Sequence, residues 1–190
     1  MSAPTGQAAP APGGAAAGLL TPEVLAMVGV TGPRLTAPAP VERDALRRFV
    51  QASMEQDPIH WDDEVARASR YGEVVAPPLY PVHVFRRPAG TPDPLDRLAE
   101  DPDWDGTDTS GLGSLPEIDL PLPRLLNGGV GAEVFRLARL GDVISMQARY
   151  LDLEEKATRS GPMVVVRVGT DYTLDTGEPL LRTVQTILRR

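Results

Sequence analysis

The rhythm of apolar and polar positions changes along this chain. In the last third, Val164, Val166, Val168, Thr170 and Tyr172 alternate with Val165, Arg167, Gly169, Asp171 and Thr173. That is the two-residue period of a strand with one buried face. Four strands are expected there, over residues 129–137, 143–153, 163–174 and 180–189. Asp175-Thr176-Gly177-Glu178 predicts a hairpin turn, and Arg139-Leu140-Gly141-Asp142 and Ser160-Gly161-Pro162 separate the other strands. Gly128-Gly129-Val130-Gly131 opens a strand instead of joining a strand to a helix, which predicts a turn or bulge.

Earlier the spacing is helical. Thr21 caps a short helix with Pro22 at its first position and Glu23 in its first turn, running through Val24, Leu25 and Met27 to Gly29. A second helix is expected over 42–53, where Leu46, Phe49 and Val50 repeat against Arg43, Arg47, Arg48 and Gln51. Asp57-Pro58 stops any continuation, because a residue before proline avoids the helical region. Asp62 caps a third helix over 63–71, closed by Gly72. Pro77 and Pro78 lead into a further helix over 80–86, with Pro81 in its first turn. Helices first and a strand meander afterwards give an α+β domain with an antiparallel sheet.

Two stretches lack any sustained period. Residues 1–18, rich in Ala, Pro and Gly, cannot bury enough apolar surface to offset their ordering entropy and are expected to be a disordered tail. A long loop is expected at about 88–124, with Trp104 as its anchor and Asp101, Asp103, Asp105 and Asp108 on a solvated surface. Residues 19–190 then form one domain.

Composition narrows the function by exclusion. The net charge of −7 carries no nucleic-acid footprint, and no segment is long and apolar enough for a membrane span. The absence of Cys removes thiolate nucleophiles and thiolate metal sites. With two histidines, His60 and His83, no His-rich metal centre is expected. No Walker or dinucleotide glycine pattern is present, so neither nucleoside triphosphates nor NAD is expected. No signal-peptide pattern opens the chain, which leads to an expected cytoplasmic location.

The candidate chemistry lies in Ser53-Met54-Glu55-Gln56-Asp57-Pro58-Ile59-His60-Trp61-Asp62-Asp63. A histidine among acids suits proton transfer, since its charge changes near neutrality and adjacent carboxylates hold the protonated form. The plainer reading is an acidic connection between helices that includes a histidine, with Asp57 forming the turn before Pro58.

This stretch resembles the MaoC-like (R)-specific enoyl-CoA hydratases and dehydratases. Their pattern is roughly S-G-D-x-N-P-[LIV]-H, five residues and a small residue, and the match runs from Ser53 through His60 to Ala66. Met54 stands for Gly, Glu55 for Asp and Asp57 for Asn. Val75-Ala76-Pro77-Pro78, Arg139-Leu140-Gly141-Asp142 and Arg159-Ser160-Gly161-Pro162 look like segments of the fungal fatty-acid-synthase-like dehydratase branch.

The resemblance implies a hot dog fold, a curved antiparallel sheet wrapped around a long central helix. It implies Glu55 and His60 as the catalytic pair gripping one water, and Asp57, Pro78, Leu79 and Tyr80 in substrate binding. The activity implied is hydration of 2-enoyl thioesters and dehydration of 3-hydroxyacyl thioesters, with CoA or acyl carrier protein as carrier and no other cofactor. Proline lacks an N–H, so the donor to the thioester oxygen falls to Leu79, Tyr80 or a slightly different loop. Cations for the carrier's phosphates are available in Arg86, Arg87, Arg136, Lys156 and Arg159. Members pair two such folds, which implies a homodimer or a heterodimer with a second MaoC-like chain. The altered motif keeps a second reading open, a catalytically silent subunit that shapes the acyl pocket of a partner. A third is a thioesterase-type or thioester-binding hot dog, since one fold hosts several activities.

Overall fold

The computed structural model describes residues 18–85, 90, 92–93, 96–102, 115–159 and 161–190. The expected tail lies outside them save Gly18, as do Arg86, Arg87 and Trp104.

Five strands form one antiparallel sheet: β1 (Leu35–Thr36), β2 (Leu125–Val134), β3 (Ile144–Thr158), β4 (Gly161–Leu174) and β5 (Pro179–Arg189), in the order β1-β3-β4-β5-β2. On β4, Val164, Val166, Val168, Tyr172 and Leu174 are buried on one face. The opposite face carries ion pairs, Arg167 with Asp152 and Glu154, and Asp171 with Arg182. Strand partners share a face, so Tyr150 opposite Val168 and Ile187 opposite Val166 extend the apolar side across the sheet. A fully buried Val, Leu or Ile contributes roughly 1.5–3 kcal/mol. Register slips at Tyr150/Asp152, where Leu151 bulges out and packs against Gly169; a Cβ on Gly169 would meet its side chain at 3.0 Å.

The apolar side carries two packed clusters. In one, Leu46 and Val50 of α2 (Arg43–Ser53) pack with Ala76, Tyr80, Ile144 and Leu181. In the other, Val24 of α1 (Pro22–Leu25) packs with Ile118, Leu120, Leu122 and the middle of the sheet.

Most helix signals act as the sequence predicts. The Thr21 hydroxyl accepts from the Val24 N–H at 3.3 Å, and Asp62 accepts from the N–H groups of Glu64 and Val65 at 2.9 and 3.1 Å. The helix it caps, α3 (Asp63–Ala68), is shorter than the expected 63–71. The Ser69 hydroxyl donates to the Ala66 carbonyl at 2.7 Å and accepts from Tyr71 N–H, and Ser69 itself turns extended.

The expected helix over 80–86 is a 3₁₀ turn, Tyr80–His83. Pro77, Pro78 and Pro81 have no N–H to give, and the bonds made, Tyr80 N–H to Pro77 and Val82 N–H to Leu79, are three residues apart. The long central helix of the resemblance is not among the described residues, where α2 is the longest helix.

Within the expected loop, α4 (Arg97–Glu100) forms, and Leu115, Ile118, Leu120 and Leu122 pack into the second cluster. The first long strand starts at Leu125 and ends at Val134, not at 129 and 137, and its register slips between Asn127 and Gly129, at the expected bulge. The short β1 was not foreseen and pairs with β3.

Candidate active site

The candidate segment begins where α2 ends. The Ser53 hydroxyl donates back to the Phe49 carbonyl at 2.8 Å, and Met54 takes the left-handed conformation with φ 53°. Glu55 N–H then reaches the Val50 carbonyl at 3.1 Å, closing the helix end. The Glu55 carboxylate folds over its own loop, its Oε1 accepting from the N–H groups of Gln56 and Asp57 at 2.8 and 3.2 Å. Asp57 accepts from Ile59 N–H at 3.1 Å and starts the 3₁₀ turn Pro58–His60.

His60 is 5% exposed. Its Nδ1 lies 2.7 Å from the carbonyl oxygen of Val75. A carbonyl only accepts, so Nδ1 carries the hydrogen and Nε2 is left for chemistry. Val75 is itself fixed. It bridges to Arg139, and the next N–H, of Ala76, donates to the Ala138 carbonyl at 2.7 Å. The imidazole is thus tied to the frame of the sheet through one backbone carbonyl.

His60 stands between two depressions. One, of about 710 Å³, is lined by Glu55 and His60 together with Leu46, Val50, Met54 and Trp61. The other, of about 650 Å³, is lined by His60, Asp57 and Pro78 with Arg70, Arg136 and Arg139. The acid and the imidazole therefore open onto one largely apolar cavity, and the imidazole also borders a cationic one.

Residues 26–183 match the family described as FAS1-like, dehydratase domain region. The chain belongs to this family. A UPF0336 protein of Saccharopolyspora erythraea is 25% identical over 150 residues, covering 79% of this chain and 81% of the relative. Among solved structures, the ChsH1–ChsH2 complex from Mycobacterium tuberculosis is similar with a TM-score of 0.62 at 20% identity, over 84% of this chain and 83% of that one. The C-terminally truncated HadBC (3R)-hydroxyacyl-ACP dehydratase complex from the same organism has a TM-score of 0.54 at 16% identity, over 85% and 96% of the two chains. The fold is the hot dog fold.

In this dehydratase-family chain the expected site residues divide. Glu55 and His60 share one cavity, and Asp57 and Pro78 share the other with His60. Leu79, next in the chain, is 47% exposed. Tyr80 is a core residue, buried edge-on against the Phe49 ring with centroids 5.3 Å apart. His83 is exposed and its ring also lies against Phe49, with centroids 4.8 Å apart.

The cations sort by their partners. Arg136 is held by Asp142 and Glu178 at 3.2 and 2.8 Å, Arg139 by Glu73 at 2.9 Å, and Lys156 by Glu154 at 3.3 Å. Arg70, which the sequence did not single out, lies over the Tyr71 ring at 4.8 Å and donates to its hydroxyl at 2.5 Å. It has no carboxylate partner among the described residues. The Val75 carbonyl and the cavity positions of Met54 and Trp61 were also not foreseen.

Proposed function

We propose that the protein adds water to 2-enoyl thioesters and removes it from 3-hydroxyacyl thioesters, with His60 as the proton carrier and Glu55 as its acid partner. The observation that carries this reading is the lock on His60: Nδ1–H bound to the Val75 carbonyl, in a cavity that Glu55 also lines. A neutral ring so held has a bare Nε2, an acceptor for one hydrogen of a water. As the water oxygen bonds to C3, that proton passes to Nε2 and negative charge moves through C2 to the thioester oxygen. The imidazolium then gives the same proton to C2, so one water is added and the ring returns to its starting form. Glu55 accepts a hydrogen bond from the other O–H of the water, which stays on the new hydroxyl, and so aims the oxygen at C3. Dehydration is the reverse.

The thioester oxygen needs a hydrogen-bond donor as charge develops on it. Pro78 and Pro81 have no N–H, and that of Tyr80 is bound to the Pro77 carbonyl at 3.0 Å. The Leu79 N–H, beside Pro78 on the cationic depression, is the donor this leaves. Asp57 and Pro78 border the carrier's path, and Tyr80 holds the turn from behind. The carrier, CoA or acyl carrier protein, brings phosphate toward Arg70.

A second MaoC-like chain completes the site in this reading. β2 lies at the edge of the sheet, with Val130 58% and Val134 44% exposed. Val134 and Phe135 also wall the depression beside His60, so a chain added along β2 encloses it. Both structural relatives are two-component complexes.

Native mass spectrometry of the protein, alone and with a candidate second chain, followed by a 2-enoyl-CoA panel, tests this. A dimer that hydrates 2-enoyl-CoA and loses that activity with His60→Ala supports it. A two-chain complex that keeps full activity after His60→Ala assigns the chemistry to the partner and makes this chain the pocket-shaping subunit. Release of free CoA in place of hydrated product would point to thioester cleavage.

A further inference from the structure

Met54 combines three properties. It is the single non-glycine residue with positive φ among the described residues. Its side chain is 81% exposed, more than that of any other large apolar residue described. And it lines the cavity that holds Glu55 and His60.

The left-handed conformation at a helix C-terminus favours glycine, because a Cβ crowds the following carbonyl. Glycine would fit this turn, so the strain of a Met here, and the exposure of its thioether chain, are not needed to end α2. Strain of this kind persists where something else holds it, and it concentrates at ligand-binding positions. What Met54 does gain is a place in the lining of a largely apolar cavity, together with buried Leu46 and Val50 and with Trp61, itself 41% exposed. Met is unbranched and has three rotatable bonds, so it can adjust to chains of different length.

We propose that Met54 sets acyl-chain selectivity, its side chain closing over the distal methylenes of the acyl group in the cavity beside Glu55 and His60. This rests on the thioester reading above. A bound chain longer than the floor of the cavity meets Met54 and Trp61 instead of water, whereas a short chain stops before them. The benefit of the Met therefore grows with chain length, and the backbone strain is present whatever the substrate.

The full chain, in its native assembly, is compared with Met54→Gly and Met54→Leu on straight-chain 2-enoyl-CoA substrates of increasing length. Dissociation constants for the matching saturated acyl-CoAs are measured in parallel. With Met54→Gly, KM and Kd are expected to rise progressively with length, by about tenfold for the longest chains, the worth of one to two methylenes left in water. Met54→Leu restores most of the length dependence, and the melting temperature of the Gly variant equals or exceeds that of wild type because the turn is relaxed.

Superimposable length profiles for wild type and Met54→Gly overturn the inference. So does a loss uniform across lengths, which would mean that the backbone next to Glu55 had moved, or a change of assembly in the Gly variant, which would make Met54 an interface residue. Binding without hydration in wild type defeats the catalytic reading and leaves the Kd series to decide on Met54. Absence of acyl-CoA binding at every length defeats both.

Discussion

The sheet and the site are held together in different ways. In β4 the residues from Val164 to Thr173 are laddered to β3 on one side and to β5 on the other, and Val164, Val166, Val168 and Tyr172 share one buried face. Losing any one contact there leaves neighbours in place. The segments that carry Glu55, His60 and Pro78 have no ladder. His60 depends on one carbonyl, Val75; the Val75–Ala76 corner depends on the bond to Ala138; and the Glu55 carboxylate is bound only within its own loop. Burial stabilises the sheet by many small additive terms, whereas the site relies on a few bonds that each fix one geometry. Substitutions in the sheet should therefore cost stability and spare the substrate profile, and substitutions in the site the reverse.

The largest effect that would break this contrast concerns His60. His60→Ala removes the proposed proton carrier, and general acid–base catalysis by one side chain contributes about 10²–10⁴ in rate. Hydration should fall by at least a hundredfold in kcat. The Val75 carbonyl, left without its donor, should cost about 1–3 kcal/mol of stability, which a denaturant melt would show as a modest shift of an intact cooperative transition. Loss of folding together with activity would mean that the imidazole belongs to the core as much as to the site.

The converse test is Ile187→Ala. Ile187 is 2% exposed in the second cluster, opposite Val166. Truncation of such a residue costs about 2–5 kcal/mol, readable as a lower urea midpoint. KM for each enoyl chain length should be unchanged in the fraction that remains folded. A shifted length profile would show that the second cluster reaches the acyl cavity. A smaller effect is expected at Glu55. Glu55→Gln keeps an oxygen to accept from the Gln56 and Asp57 N–H groups, so the loop should stay folded while the rate drops by about tenfold to a hundredfold as the charged water acceptor is lost. An unchanged rate would reduce Glu55 to a loop former.

The sheet was the most legible part of the chain because alternation reports burial directly. The two-residue alternation of β4 and the turn at Asp175–Glu178 were sufficient. Residues 115–122 carry the same signal, since Ile118, Leu120 and Leu122 alternate and all are buried. Pro116, Pro121 and Pro123 masked it, because proline marks a loop when no ladder is in view. The over-long helix at 80–86 has another cause: prolines that preset a helix entry also lack the N–H groups to propagate it. In the site, Glu55 and His60 were found because covalent spacing fixes them. The Val75 carbonyl could not be read, since a backbone acceptor has no residue type. Nor could Arg70 be separated from Arg136 and Arg139, because their acids, Glu178, Asp142 and Glu73, come together only in the fold. Met54 showed a departure from a glycine pattern, and only φ gave it meaning.

The finest test separates the two regions by pH. Tyr172 lies in the first cluster, between the sheet and α2, and burial pushes its phenol above the ordinary value near 10, with a smaller opposing effect from its hydrogen bond with Thr183. Burial likewise raises Tyr150 in the second cluster. A phenol whose folded value is raised stays neutral in the fold while the unfolded chain ionises. Its stabilisation is complete below the unfolded value and is lost as pH climbs through the folded one. Unfolding free energy should thus be level with respect to these groups up to about pH 9 and fall above pH 10. Tyr172→Phe should flatten that fall, leaving the part due to Tyr150, and the slope is the readout because the level also reflects the lost Thr183 bond. If the alkaline slope is the same with and without Tyr172, the first cluster admits water at that ring, and the rigid wall behind the acyl cavity is softer than the packing of Leu46, Tyr80 and Leu181 around it implies.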